Sequence, residues 1–279
     1  GTRMKPFASV GHIISNFALR ASNTIFMDNG RYAERVNLRL YNGTNNAPIS
    51  LVGVSTSATK STVVSNTGSA GLTATNIAWW RIHANTFASN QRGVILAGAR
   101  DFTIARCEIR RSASEGILIT DGSRRVTVRS NKVASAGSFG IYILNARSNP
   151  LSRNRSFQNS AGIKVQNTRF WTSSNDVVAS NAGAGFTVDA ATNGTITRLD
   201  AYSNFWGIGF FGGASISNSF VSNRLYVNKT QGFMVQSGGR KNRLLGNRSY
   251  RNTSHGILVQ GNSRTNDLVG NEANNILAD

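Results

Sequence analysis

The chain has 279 residues, with 31 Lys and Arg against 12 Asp and Glu, a net charge of +19, and one cysteine. A single cysteine excludes an intrachain disulfide. No apolar run approaches the roughly 20 residues needed to span a bilayer, and the charge excess points to a polyanionic partner, against the plainer reading of a basic surface that binds nothing.

The opening residues carry no signal-peptide apolar core, so the sequence reads as either cytosolic or already processed. The first predicted element is a helix. Over 7–18 the apolar residues Val10, Ile13, Ile14 and Phe17 recur at helical spacing, which suits an amphipathic cap over the first coil of a solenoid. His12 lies on it with no second ligand or catalytic partner nearby in sequence, and reads as structural. Thr24-Ile-Phe-Met27 then reads as a strand. From there a triplet repeats: glycine followed by apolar-x-apolar, at Gly93, Gly116, Gly140, Gly162, Gly185, Gly207, Gly232 and Gly256. The glycines are nearly evenly spaced, at an interval too short for strand-helix-strand units of about 30 residues, and suited to three short strands and three turns.

One coil can be written out. Ile117–Thr120 follows Gly116 as the first strand, 121–125 is the first turn and Val126–Arg129 the second strand. Asn131 makes the second turn, and Lys132–Ala134 is the third strand. Alternation places Ile117, Ile119, Val126 and Val128 inside, with Leu118 and Thr120 outside. A second column, Asn85, Cys107, Asn131, Asn154, Asn175, Leu199, Asn223, Asn247 and Asn271, predicts a stacked asparagine ladder at a turn, because asparagine tolerates left-handed backbone and bonds turn amides. Cys107 stands in that column as a small buried hydrophobe. A third column (Asn90, Asn159, Asn181, Asn204, Asn228, Asn252) marks another bend. The C-terminal residues 271–279 show no recognisable cap, and an uncapped end exposes strand edges, which predicts a longer parent chain.

The expected fold is therefore all-β: a right-handed parallel β-helix over 24–279 with a short N-terminal capping helix within 1–23, one domain overall. At this point the residues resemble a superfamily. The opening seven residues, the helix, the segment from Thr24 to Glu34 and the segment from Asn42 to Gly53 are similar to the entry of pectate-lyase-like β-helix proteins, a group of polysaccharide lyases and mannuronan C5-epimerases. The resemblance is specific for fold and not for reaction. No carboxylate cluster of the calcium-dependent pectate lyases is visible, the Asp-Pro-His motif of the epimerases is absent, and no catalytic residue carries over by motif.

The resemblance implies that substrate lies along the face of the first strands. Counting outward positions there brings Tyr142, Lys164, Gln166 and Asp189 together on neighbouring rungs. β-Elimination from a uronate needs a base, an acid for the leaving oxygen and a cation to neutralise the carboxylate. Lys164 is the candidate base, Tyr142 the acid, and Arg147 or Arg169 the neutraliser; the bland alternative is a surface ion pair between Lys164 and Asp189.

The first turn carries a cation on most coils (Arg100, Arg124, Arg147, Arg169, Arg240, Arg264), with Asn193 and Ser215 in the intervening positions. Guanidinium forks suit carboxylates and sulfates. Trp206, Phe211 and Phe139 are candidate stacking platforms or, equally, covers over core gaps. His255, at the same rim, is a weaker acid-base candidate.

The expected activity is a secreted or cell-surface protein acting on an acidic polysaccharide, a lyase by β-elimination, with a non-catalytic binding module and a C5-epimerase as alternatives. Nucleic acid is disfavoured because no recognised module or regular aromatic platform is present, and a monomer is expected. The acids near the face, Glu115, Asp121 and Asp189, are too scattered to assign calcium, so no cofactor and no metal ligand is assigned.

Overall fold

The computed structural model describes residues 7–54, 56–57, 60–211, 215–236, 239–261, 263, 265–274 and 276–278. Arg264 and the first six residues of the entry segment lie outside the described residues. The chain winds as a parallel β-helix in which every coil contributes one strand to each of three long parallel sheets. The helix is shorter than expected, Val10–Asn16, because Phe17 already adopts extended backbone. Ser9 Oγ accepts from His12 N at the cap, and the Glu34 carboxylate takes the next free amides, Val10 N at 2.8 Å and Gly11 N at 2.9 Å. Val10 and Ile14 enter the core.

The coil read from the sequence is the coil observed. Its strands are Ile117–Thr120, Arg124–Arg129 and Lys132–Ala134, the second beginning slightly earlier than predicted. Ile117, Ile119, Val126, Val128 and Val133 are fully buried and stack on their equivalents, Ile117 between Val94 and Ile141. Each such side chain contributes about 1.5–3 kcal/mol against about 1 kcal/mol for a typical hydrogen bond. Apolar columns therefore supply most of the cohesion, and the bonds at the turns fix geometry. Outward positions lose their exposure towards the C-terminal end, where Thr187, Met234 and Leu258 are all buried.

The repeated glycine has a steric cause. A Cβ at Gly116 would strike the Val133 side chain and the carbonyl of Gly140, since the chain enters the first strand hard against the third-strand core and the next coil.

The turns are held by asparagine ladders. At the second turn Cys107 N donates to Asn131 Oδ1 and Asn131 N to Asn154 Oδ1. The same bond links Leu199 to Asn223, Asn223 to Asn247 and Asn247 to Asn271. One position differs from the expected column: Asp176, not Asn175, occupies the rung, accepting from Asn154 N at 2.6 Å and Asn154 Nδ2 at 3.0 Å. The rung residue must immediately precede the strand Val177–Ala179, and Asn175 instead takes the left-handed turn position at φ 54°. The third-turn ladder runs Asn159, Asn181, Asn204, Asn228, Asn252 as expected.

A further ladder at the first turn was not foreseen. Gly194 N donates to Asn218, Asn218 to Asn242 and Asn242 to Asn266, in a column that earlier holds Phe102, Val126, Asn149 and Trp171. Its N-terminal half is mostly apolar core, which hid the asparagines.

Candidate functional site

Three adjacent strands of the first sheet, Phe139–Leu144, Ala161–Gln166 and Phe186–Asp189, place the polar cluster. Tyr142 lies opposite Lys164, Leu144 opposite Gln166, and Gln166 opposite Asp189. The residues that alternate with them, Ile141, Ile143, Ile163, Val165 and Val188, are fully buried, so the polar side chains all leave the same outer face. Lys164 Nζ stands 3.0 Å from Asp189 Oδ2, with both side chains about four-fifths shielded. The ammonium also sits over the rings of Phe139 and Tyr142, at 5.6 and 5.7 Å from their centroids, and those rings touch at 4.9 Å. A desolvated cation over two ring faces is held firmly.

The Tyr142 hydroxyl donates to Gln166 Oε1 in a short hydrogen bond. Burial, then the negative charges of Asp189 and Glu115, pushes the Tyr142 hydroxyl above its ordinary range. It therefore keeps its proton throughout neutral pH, as a proton donor must.

One pair in this neighbourhood was missed by sequence reading. Arg92 Nε meets Glu115 Oε2 at 2.6 Å, and Ser114 Oγ donates to the same oxygen at 2.8 Å. Burial raises the Glu115 carboxyl, but the bonds from Arg92 and Ser114 outweigh it and hold Glu115 below the usual range. Both residues directly precede the glycine-led triplet on adjacent coils, so their alignment was legible; opposite charges one coil apart were the signal.

The first-turn arginines stack in register. Arg100 lies opposite Arg124, and bridges continue from Arg124 to Arg147 and from Arg147 to Arg169. The column then runs through Thr192 and Ile216 to Arg240, displaced by a single position from the expected Asn193 and Ser215; Asn193 takes the left-handed turn position and Ser215 is buried. Arg147 and Arg169 share coils with Tyr142 and Lys164. Arg240 is three rungs beyond Arg169, about 14 Å at about 4.8 Å per rung.

Trp206 packs on Phe211 at 5.5 Å and on Phe205 at 4.8 Å, and the Phe211 ring covers Gly209. The aromatic group therefore seals the outer face of that strand while leaving Phe205 exposed. His255, whose Nδ1 contacts Ser254 Oγ at 2.9 Å, lies four rungs from Lys164, about 19 Å at the same spacing, and is not part of the cluster. Cations near the second turn are partly engaged elsewhere, Lys132 with Glu108 at 3.2 Å and Arg155 over Phe157 at 5.2 Å.

Two family models match the chain: one described as a right handed beta helix region, over residues 23–177, and one described as periplasmic copper-binding protein (NosD), over residues 140–277. A search of curated proteins returned no match. Among solved structures, pectate lyase Pel9A superposes with a TM-score of 0.70 at 15% identity, covering 94% of this chain and 74% of its own. The A-module of mannuronan C-5 epimerase AlgE6 from Azotobacter vinelandii gives 0.72 at 18%, covering 85% and 71%. An alginate lyase from Paenibacillus sp. str. FPU-7 gives 0.64 at 15%, covering 94% and 96%. At such identities the likeness is one of fold.

Copper favours thiolate, thioether and imidazole donors. Cys107 is buried, which pushes its thiol up to about 12, and no three His, Cys, Asp or Glu side chains converge among the described residues. The described donors do not fit a copper site.

Proposed function

The chain belongs to the right-handed β-helix family, and on that footing we propose that it acts on an acidic polysaccharide outside the cytoplasm, cleaving it by β-elimination on the first-strand face. The observation that carries this reading is the cluster of Tyr142, Lys164, Gln166 and Asp189 on adjacent rungs, flanked on their own coils by Arg147 and Arg169. The structural relatives named as pectate and alginate lyases and a mannuronan epimerase support the substrate class at the level of the scaffold.

In this scheme Arg147 and Arg169 neutralise the uronate carboxylate, which acidifies the neighbouring C–H. Lys164 is assigned as the base, with Asp189 Oδ2, 3.0 Å from Nζ, as the carboxylate that would take its proton. The free amine takes the proton beside the carboxylate, the electron pair forms the carbon–carbon double bond, and the glycosidic C–O bond breaks. Tyr142, protonated at neutral pH, donates to the leaving oxygen.

Incubation with alginate, polygalacturonate, chondroitin sulfate and heparin, following absorbance of the unsaturated product, tests this. One uronate polymer is expected to give product, and Tyr142→Phe or Lys164→Ala to lower its rate by about 100-fold or more. Unaltered rates in both variants would remove these residues from the reaction. A second reading, a non-catalytic binding module, is favoured by the closed Lys164–Asp189 pair, which already satisfies the amine; salt-sensitive binding with every polymer left intact would select it.

A further inference from the structure

On the third sheet Lys132, Arg224 and Arg248 each meet a carboxylate one coil away, Glu108, Asp200 and Glu272. The second turn, where the chain passes from the second sheet to the third, is different. Arg106, Arg153 and Arg198 take its left-handed position, at φ 53°, 55° and 53°, and Arg129 ends the strand that leads into it. All four are exposed, and among the described residues none has a carboxylate within ion-pair distance. Their charge is felt nearby: burial, then Arg106 and Arg129, holds the His83 imidazole below its ordinary range.

The same edge is apolar at its other end. The last outward position of the second sheet runs in register from His83 through Arg129 and Thr197 to Val221, Leu245 and Val269, a line of about 38 Å at about 4.8 Å per rung. Leu245 is 37% and Val269 54% exposed, two apolar side chains left in water on adjacent coils. Together the two ends select the partner. A soluble polyanion, polysaccharide or nucleic acid, would neutralise the arginines and leave Leu245 and Val269 in water. An anionic bilayer satisfies both: headgroup phosphates meet the guanidiniums, and the apolar end enters the boundary between headgroups and acyl chains.

We propose that the second-turn edge docks this protein on the surface of a membrane containing anionic phospholipid, with the solenoid axis lying along the bilayer. In a coil of three strands this turn stands across the core from the first sheet, so the docked protein keeps its first-strand face turned to solvent. Two exposed apolar side chains are too few for lasting insertion, and exposed cations act only within a Debye length. The attachment is therefore reversible and sensitive to salt.

Sedimentation with vesicles of phosphatidylcholine, with and without phosphatidylglycerol, tests the proposal. Wild type is expected to bind the phosphatidylglycerol vesicles at least about ten-fold more tightly than phosphatidylcholine alone, and to be released by salt. Arg106→Gln, Arg129→Gln and Arg153→Gln combined are expected to weaken that binding at least about ten-fold, and Leu245→Ser with Val269→Ser by a similar factor. Arg100→Gln, Arg240→Gln and Lys241→Gln combined, equal in charge but at the first turn, retain it. Thermal melting reports the fold of each variant, and should the second-turn triple variant unfold, Arg153→Gln alone is expected to cost about five-fold.

No binding to either vesicle, or equal losses from the two triple variants, would overturn the docking edge and leave only a basic surface. Vesicle binding untouched by Leu245→Ser with Val269→Ser, and displaced by heparin or duplex DNA, would overturn the bilayer in favour of a soluble polyanion.

Discussion

Asp176 shows how much one atom matters inside a ladder. An asparagine there would both accept from the previous rung and donate onward, whereas a carboxylate only accepts: its Oδ1 takes Asn154 N and Nδ2, and its Oδ2 takes Ser173 Oγ at 2.6 Å. Burial pushes this carboxyl up from 3.8 to about 6, opposed by the bonds from Ser173 and Asn154. The native state thus holds a proton more tightly than the unfolded chain. Stability from this group is complete below about pH 3.8 and is lost as pH rises through about 6. The full difference is about 3 kcal/mol at about 1.4 kcal/mol per unit.

Asp176→Asn is therefore expected to be more stable than wild type at neutral pH and to flatten that part of the profile. Urea unfolding near pH 4 and pH 7 measures it, and a variant weaker than wild type at pH 7 would contradict the account. The position was legible in part. Asn175 and Asp176 both suit a turn, and only the requirement that the rung residue touch the following strand separates them. The Arg92–Glu115 pair was equally visible as opposite charges one coil apart, but it lies just before each glycine, outside the strand positions that the triplet pattern marks.

At the scale of the element, periodicity gave the strands and their facing. Glycine-led triplets recurring at a nearly even interval placed Tyr142, Lys164, Gln166 and Asp189 on one face, and the register agrees. What spacing could not give was turn length. A turn one residue shorter or longer shifts a column, which is why Thr192 and Ile216 stand where Asn193 and Ser215 were expected. It also could not give contacts between side chains of different coils, such as Lys164 over two aromatic rings.

The asparagine ladders are the most exacting of these elements. Asn223 accepts Leu199 N at 2.9 Å and donates to Asn247 Oδ1 and to the Ile196 carbonyl. Asn223→Ala leaves a buried amide and a buried acceptor unpaired, at about 1–3 kcal/mol each. A fall of roughly that size in unfolding free energy, measured by denaturant titration, is expected; a change under about 0.5 kcal/mol would mean that the ladder is ornamental.

The whole molecule is a one-dimensional stack in which each coil touches only its neighbours, so a surface feature repeated at one position becomes a line along the axis. The arginine column is such a line beside the first-strand face; the polar cluster lies on that face over three rungs, and the aromatic group lies further along the axis. The line of cations beside the polar cluster is what supports the proposed linear polyanion. Composition alone suggested a polyanionic partner but not a place for it on the coil, because cations are also spread over the second and third turns.

The most direct measurement is the crystal structure of the protein with a uronate oligosaccharide bound. The account predicts a chain parallel to the helix axis on the first-strand face, a carboxylate against Arg147 or Arg169 and one sugar over Tyr142 and Lys164. An oligosaccharide seated on the second or third sheet, or lying across the axis, would contradict it.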